Sequence, residues 1–242
     1  MKDCHSHLLY GIDDGSKSIE DSIELLRKME KAGTTDLILT PHYVENSKYN
    51  CNNKKKLELF KEFQKRAKEE NISINLYLGN EVFFTTNFLT LLKKKEIRTL
   101  NNSKFLLFEF PMNNSVPNAI EICNELIKKG YVPILAHPER YGTYQRNPAA
   151  LEDLLQSGIL MQGNLTSLFG KYGRTPKKTL ELFLKKKWIT VLGSDTHHDV
   201  KYNRKKLEKM LLRITKDRDY VQELLENNFD RIINDKEIGI KR

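Results

Sequence analysis

Short apolar runs alternate with longer stretches of helical periodicity along the chain. Residues 36–40 (DLILT), 73–79, 105–110 (FLLFEF), 132–136 (VPILA), 159–163 (ILMQG) and 188–193 (WITVLG) have the length and the β-branched or aromatic content of buried strands, and residues 2–6 read as a first strand. Between them, 18–32, 53–70, 86–95, 117–129, 148–157 and 175–187 follow a helical period, and 203–226 predicts one or two further helices. Ser18, with Asp21 three residues on, predicts a capped helix start; Gly33, Gly130 and Gly158 predict stops.

Seven strands alternating with helices predict an α/β fold with a parallel sheet, because parallel neighbours need a crossover connection. A closed or distorted βα barrel and an open doubly wound sheet both satisfy the pattern. No glycine-rich phosphate loop follows a strand, which counts against a nucleotide-binding doubly wound sheet.

The 242 residues suit one domain spanning 1–242, with no low-complexity linker or tandem repeat. Lys and Arg number 41 against 32 Asp and Glu, a formal charge of +9. Such a surface could draw nucleic acid or anionic lipid. The lysines, however, are interspersed with glutamates on helical stretches (KKKLELFKEFQKRAKEE), the pattern of solvated faces, so no nucleic-acid partner is expected. No run of about 18 apolar residues exists, and the first residues place His and Asp where a secretory signal needs an apolar stretch. The expectation is a cytoplasmic protein without membrane insertion. Three cysteines without CxxC spacing predict neither disulfides nor a zinc knuckle, and none begins a C-x5-R phosphate loop.

The chemistry-bearing residues fall at strand ends. His5 and His7 form H-x-H on the first strand, where residues two apart share a face. His42 follows LILTP, Glu81 follows YLGN, Glu109 sits in LLFEF, His137 follows ILA, and Asp195 and His197 follow VLGS. Asp14, in the IDDG turn, lies close enough in sequence to join them. Each has an ordinary alternative: a lone histidine is usually a satisfied polar residue, and DDG is usually a turn. Five of the six histidines at carboxyl ends of strands make a joint pattern, and in a βα barrel those ends meet at one rim. Nine donors exceed the ligands of one ion and predict two or three ions sharing carboxylates. His198 is expected beside the site rather than in it.

In order along the chain, DCHSH, IDDG, TPH, GNE, EF, AHPERY and GSDTHH resemble the polymerase-and-histidinol-phosphatase (PHP) superfamily. Within it they are most similar to the metal-dependent protein tyrosine phosphatases of bacterial capsule and exopolysaccharide loci. The likeness runs from Asp3 to about residue 200. It implies a distorted seven-stranded βα barrel with outer helices and three ions, commonly manganese. By that resemblance His5, His7, Glu81 and Asp195 hold the first ion. Glu81, Glu109 and His137 hold the second, and Asp14, His42 and His197 the third. Arg140 in AHPERY corresponds to a phosphate-binding arginine. A second such arginine follows D-x-H in that family, and Arg204 is the nearest candidate here.

The implied reaction is hydrolysis of phosphotyrosine in a protein, the substrate being a bacterial tyrosine kinase's tyrosine-rich tail. Clustered divalent ions neutralise phosphoryl oxygens and bring the pKa of a water towards neutral, making the nucleophile. Arg140 can grip two phosphoryl oxygens in its planar fork. Tyrosinate is a fair leaving group, with a reference pKa of about 10, so a metal or His197 suffices to assist its departure. The donor set does not select among manganese, zinc and iron. The alternative readings are a small-molecule phosphomonoesterase such as histidinol-phosphate phosphatase and, further off, a PHP nuclease.

Overall fold

A computed structural model describes residues 1–112 and 116–239. Among them nine strands, all paired in parallel, form two sheets. The strands are β1 (Lys2–Asp3), β2 (Asp36–Leu39), β3 (His42–Tyr43), β4 (Asn75–Leu78), β5 (Glu81–Phe83), β6 (Phe105–Glu109), β7 (Val132–Ala136), β8 (Leu160–Asn164) and β9 (Val191–Gly193). A half-barrel sheet of six has the order β3-β5-β6-β7-β8-β9, and a sheet of three has the order β1-β2-β4.

Seven strands were expected; the structure has nine because two strand lines are interrupted. β2 is followed by β3 after Thr40 and Pro41, and β4 by β5 after Gly79 and Asn80, so the β2–β4 pairing resumes as β3–β5. Pro41 has no N–H to give a ladder. Asn80 ties the two gaps together: its Nδ2 donates to the Pro41 carbonyl at 2.8 Å, and its Oδ1 accepts from the buried Lys56 ammonium at 2.6 Å and from Arg98 N at 3.1 Å. The chain after β1 runs beside β9 and its extension. Cys4 N donates to Leu192 O (3.4 Å), Asp195 N to His5 O (2.9 Å) and His7 N to Thr196 O (2.9 Å), with a parallel bridge between Ser6 and Thr196. On the other flank Thr40 N donates to Ser6 O at 2.8 Å.

Side chains of β2, β4 and β6–β9 divide between two cores. Leu106, Phe108, Leu135, Met161 and Leu192 join the large cluster under the helices. Their neighbours Phe105, Leu107, Ile134, Ala136, Leu160 and Val191 form an inner cluster with Ile38 and Cys4, plugged by Phe229 and Ile232. Alternation then carries the inner face from apolar to polar towards the carboxyl ends: Phe105 and Leu107 lead to Glu109, and Leu160 to Gln162 and Asn164.

Ser18 and Asp21 close a capping box on helix Ile19–Ala32, which Gly33 ends at φ 95°. The remaining expected helices are found with shifted bounds: Asn53–Glu69, Phe88–Lys93, Ala119–Lys128, Arg174–Lys185 and Arg204–Thr215. Residues 148–157 divide into a 3-10 turn, Pro148–Leu151, and helix Glu152–Gln156. No helix among the described residues is long and apolar enough to cross a membrane.

Candidate metal centre

All nine donors named from the sequence converge at the carboxyl ends of the strands. His5, His7, Glu81 and Asp195 are buried and crowd one point. His5 Nε2 lies 3.1 Å from both His7 Nε2 and Glu81 Oε2, His7 Nε2 lies 3.3 Å from Glu81 Oε2, and Asp195 Oδ1 stands 3.7 and 3.5 Å from the two imidazoles. Glu81 reaches a second group, with Oε1 3.0 Å from His137 Nε2, and His137 Nε2 is 3.7 Å from Glu109 Oε2. His42 Nδ1 sits 3.1 Å from Glu81 Oε2 and 3.3 Å from Glu109 Oε1. A third group gathers on Asp14 Oδ1, 3.5 Å from His42 Nε2 and 3.4 Å from His197 Nε2, with the His197 ring stacked on His7 at 3.9 Å. Three sets in this cluster have donor atoms within 4.8 Å of one another: His7–Asp14–His42–His197, His5–His7–Glu81 and His42–Glu81–Glu109.

This donor set fits divalent metal. Buried polar atoms ordinarily find hydrogen-bond partners, yet Glu81 Oε2, His42 Nδ1 and His137 Nδ1 have none. The 3.1 Å approach of His42 Nδ1 to Glu81 Oε2 lacks hydrogen-bond alignment. The far nitrogens of the first pair are held from behind: His5 Nδ1 meets Gln162 Oε1 at 2.7 Å and His7 Nδ1 meets Asp13 Oδ2 at 2.8 Å. Donation from both Nδ1 atoms turns both Nε2 lone pairs to the centre.

The protonation pattern sets burial against crowded charges of both signs. Burial alone would raise the Glu81 carboxyl, but the His5 and His42 imidazoles hold it well below the usual range. Asp195 is likewise held low against burial by His5, His137 and Arg140, and Asp14 by its bond to His197. Burial and the neighbouring Glu81 push Glu109 up to about 9, and burial with Arg140 pushes His137 down to about 4. A cation among them relieves the carboxylate repulsion and needs the neutral imidazole. The backbone is also constrained here, since His137 (φ 38°) and Asp195 (φ 52°) are left-handed non-glycine residues.

Beside the cluster, Arg140 Nη1 donates to Asp195 Oδ2 at 2.7 Å while its guanidinium lies 4.3 Å from the Tyr172 ring centre. The same oxygen accepts from Asn164 Nδ2 (2.9 Å) and Tyr172 OH (3.1 Å), so the two Asp195 oxygens face different neighbours.

Residues 1–234 match the family described as capsular polysaccharide synthesis, CpsB/CapC. The chain belongs to the CpsB/CapC family. It is 34% identical to CapC of Staphylococcus aureus over 224 residues, covering 93% of this chain and 87% of that protein. It is 31% identical to the tyrosine-protein phosphatase CpsB of Streptococcus pneumoniae, covering 82% and 83%. A solved structure described as one of YwqE from Bacillus subtilis and CpsB from Streptococcus pneumoniae, unique metal-dependent tyrosine phosphatases, superposes with a TM-score of 0.91 at 27% identity, covering 100% of each chain. An amidohydrolase from Mycoplasma synoviae (TM-score 0.59, 11% identity, 96% of this chain and 87% of that one) shares the fold alone.

Within this CpsB/CapC chain one expected site residue is not brought to the centre. Arg204 pairs with Glu226 at 2.8 Å, and the amino terminus lies 3.6 Å from the same Glu226 oxygen. Arg204 therefore stands at the amino end of β1, opposite the donors, and the expectation that it binds phosphate is corrected. His198 is exposed, its ring 6.1 Å from that of His197. Sequence reasoning missed Asp13, Gln162, Asn164, Lys171 and Tyr172. Only two carried a signal: Asp13 as the other aspartate of IDDG, and Gln162 as a polar residue in phase with Leu160.

Proposed function

We propose that the chain is a metal-dependent tyrosine phosphatase that hydrolyses phosphotyrosine in proteins. The observation that carries this reading is the convergence of nine metal-type donors with Arg140 at their edge, in a chain whose relatives bear that activity in their names. We read the strand lines as a distorted seven-line barrel of PHP type, closed where residues 4–7 meet β9, with 1–242 as one domain. His5, His7, Glu81 and Asp195 would hold one ion, Glu81, Glu109 and His137 a second, and Asp14, His42 and His197 a third. Manganese is the metal of choice for the carboxylates, with zinc or iron compatible with the imidazoles.

Such ions, when bound, supply positive charge to the phosphoryl oxygens and bring a water's pKa towards neutral. Arg140 orients the phosphate, since its fork can hold two oxygens while Tyr172 supports the guanidinium and Asp195 anchors one nitrogen. His197 Nδ1 lies 3.1 Å from the Asp195 carbonyl, and donation there would leave Nε2, 3.4 Å from Asp14 Oδ1, to face a shared ion. Tyrosinate, with a reference pKa of about 10, leaves with little protonation. The substrate in the cell would be the tyrosine-rich tail of a bacterial kinase that regulates capsule or exopolysaccharide synthesis, acting in the cytoplasm.

The test is phosphate release from a phosphotyrosine peptide, with added manganese or chelator, together with elemental analysis. We expect two to three ions per chain and chelator-sensitive turnover. His137→Ala is expected to lose metal and about 100-fold or more in rate, and Arg140→Ala to keep its metal while binding phosphate more weakly. Turnover of histidinol phosphate with none of the peptide would move the activity to small molecules.

A further inference from the structure

A second cation stands at the edge of the centre. Lys171 follows helix Leu165–Leu168, and its half-buried side chain brings Nζ to 3.3 Å from the carbonyl oxygen of Asp195. The ammonium is also 5.1 Å from the centre of the Tyr172 ring, the ring on which Arg140 lies at 4.3 Å. Arg140 and Lys171 thus bond to one residue, Asp195, and approach one aromatic ring. Both contacts favour a fixed cation.

The pair is short of anionic partners. An ammonium offers three donors, and among the described residues Lys171 uses one of them, on a long bond to a carbonyl. The Asp195 carboxylate is already shared among Arg140, Asn164, Tyr172 and the imidazoles. Glu139, next to Arg140 in sequence, makes no ion pair with either cation: its Oε1 accepts from Ser167 Oγ (2.7 Å) and Asn164 N (3.2 Å), inside the protein. Two neighbouring cations with donors to spare suit a dianion with three terminal oxygens. Arg140 would take two in plane, and the flexible lysine the third.

We propose that Lys171 is a second phosphate-binding residue, acting beside Arg140 on the phosphoryl oxygens of the substrate; the role rests on the phosphatase reading given above. The metal-loaded full chain is compared with Lys171→Gln and Lys171→Arg by calorimetric titration with inorganic phosphate, by kinetics on the phosphotyrosine peptide, and by metal content. In Lys171→Gln the phosphate Kd and the peptide KM each rise about tenfold while kcat changes less than about threefold, the loss expected of one charge-assisted contact. Metal content and melting temperature stay at the wild-type values, and Lys171→Arg restores phosphate affinity. Wild-type phosphate affinity in Lys171→Gln overturns the proposal, as does a loss of affinity that comes with loss of metal or fold. If the wild type binds phosphate through Lys171 yet leaves the peptide intact, the tyrosine-phosphatase reading fails and the phosphate site stands.

Discussion

His7 shows how much of a metal ligand's behaviour lies behind it. Its Nδ1 meets a buried carboxylate oxygen of Asp13 at 2.8 Å, and that oxygen also accepts from His42 N at 3.0 Å, so one aspartate sets two ligands in different groups. Removing it frees the His7 ring to rotate and to take the wrong tautomer. Asp13→Ala is expected to weaken metal binding about 10- to 100-fold, read by competition with a chromophoric chelator, with Asp13→Asn in between. Unchanged affinity would show that ring packing alone holds His7. At this scale eight of the nine donors were readable because they fall at or just beyond strand ends, and Asp14 because its turn follows His7 closely. Their supports were not: Asp13 and Asp14 are neighbours of identical chemistry, and only the turn decides which stands behind His7 and which meets His42 and His197. Tyr172 and Lys171 lie in a loop without periodicity, and Arg204 misled because nearness in sequence to D-x-H says nothing about its partner Glu226.

Among the elements, β9 carries the tightest constraint. A Cβ built on Gly193 would stand 2.4 Å from His5 Cβ and 2.9 Å from Gln162 Nε2. Both neighbours belong to the first metal group, one a donor and the other its support. Gly193→Ala must push the β1 extension from β9 or displace the His5 ring. We expect a stability loss of about 1–3 kcal/mol together with reduced metal content, read by denaturant unfolding and elemental analysis. Strand number was the element-level feature that pattern alone could not supply. Apolar runs mark where a line begins, but the interruptions at Pro41 and Asn80 depend on a cross-link through Asn80 and Lys56, residues far apart in the chain. A buried lysine in a lysine-rich helix looks like any other.

For the whole molecule, class and strand direction followed from alternation, since parallel neighbours require the helices found between them. The inner core is apolar at one end and ionisable at the other, so the polar end depends on what binds there. Removing metal should cost the fold accordingly. At a free metal concentration 100 times the Kd, binding contributes about 2.7 kcal/mol, and stripping it with chelator should lower Tm by roughly 5–10 °C in a chain of this size. A melting temperature indifferent to chelator and to added manganese would mean that the donor cluster is stable without a cation.

The contact between residues 3–7 and 192–196 joins parts of the chain 188 to 191 positions apart. His5 and His7 leave the ribosome first, and Asp195 and His197, which share their donor groups, are among the last ligands synthesised. A chain cut short before these residues presents two histidines but not the joint set. Full affinity for metal is therefore acquired only after Asp195 and His197 have been made and have met the first two histidines, so that chains still lacking them cannot compete for the cell's metal on equal terms with chains that carry the joint set.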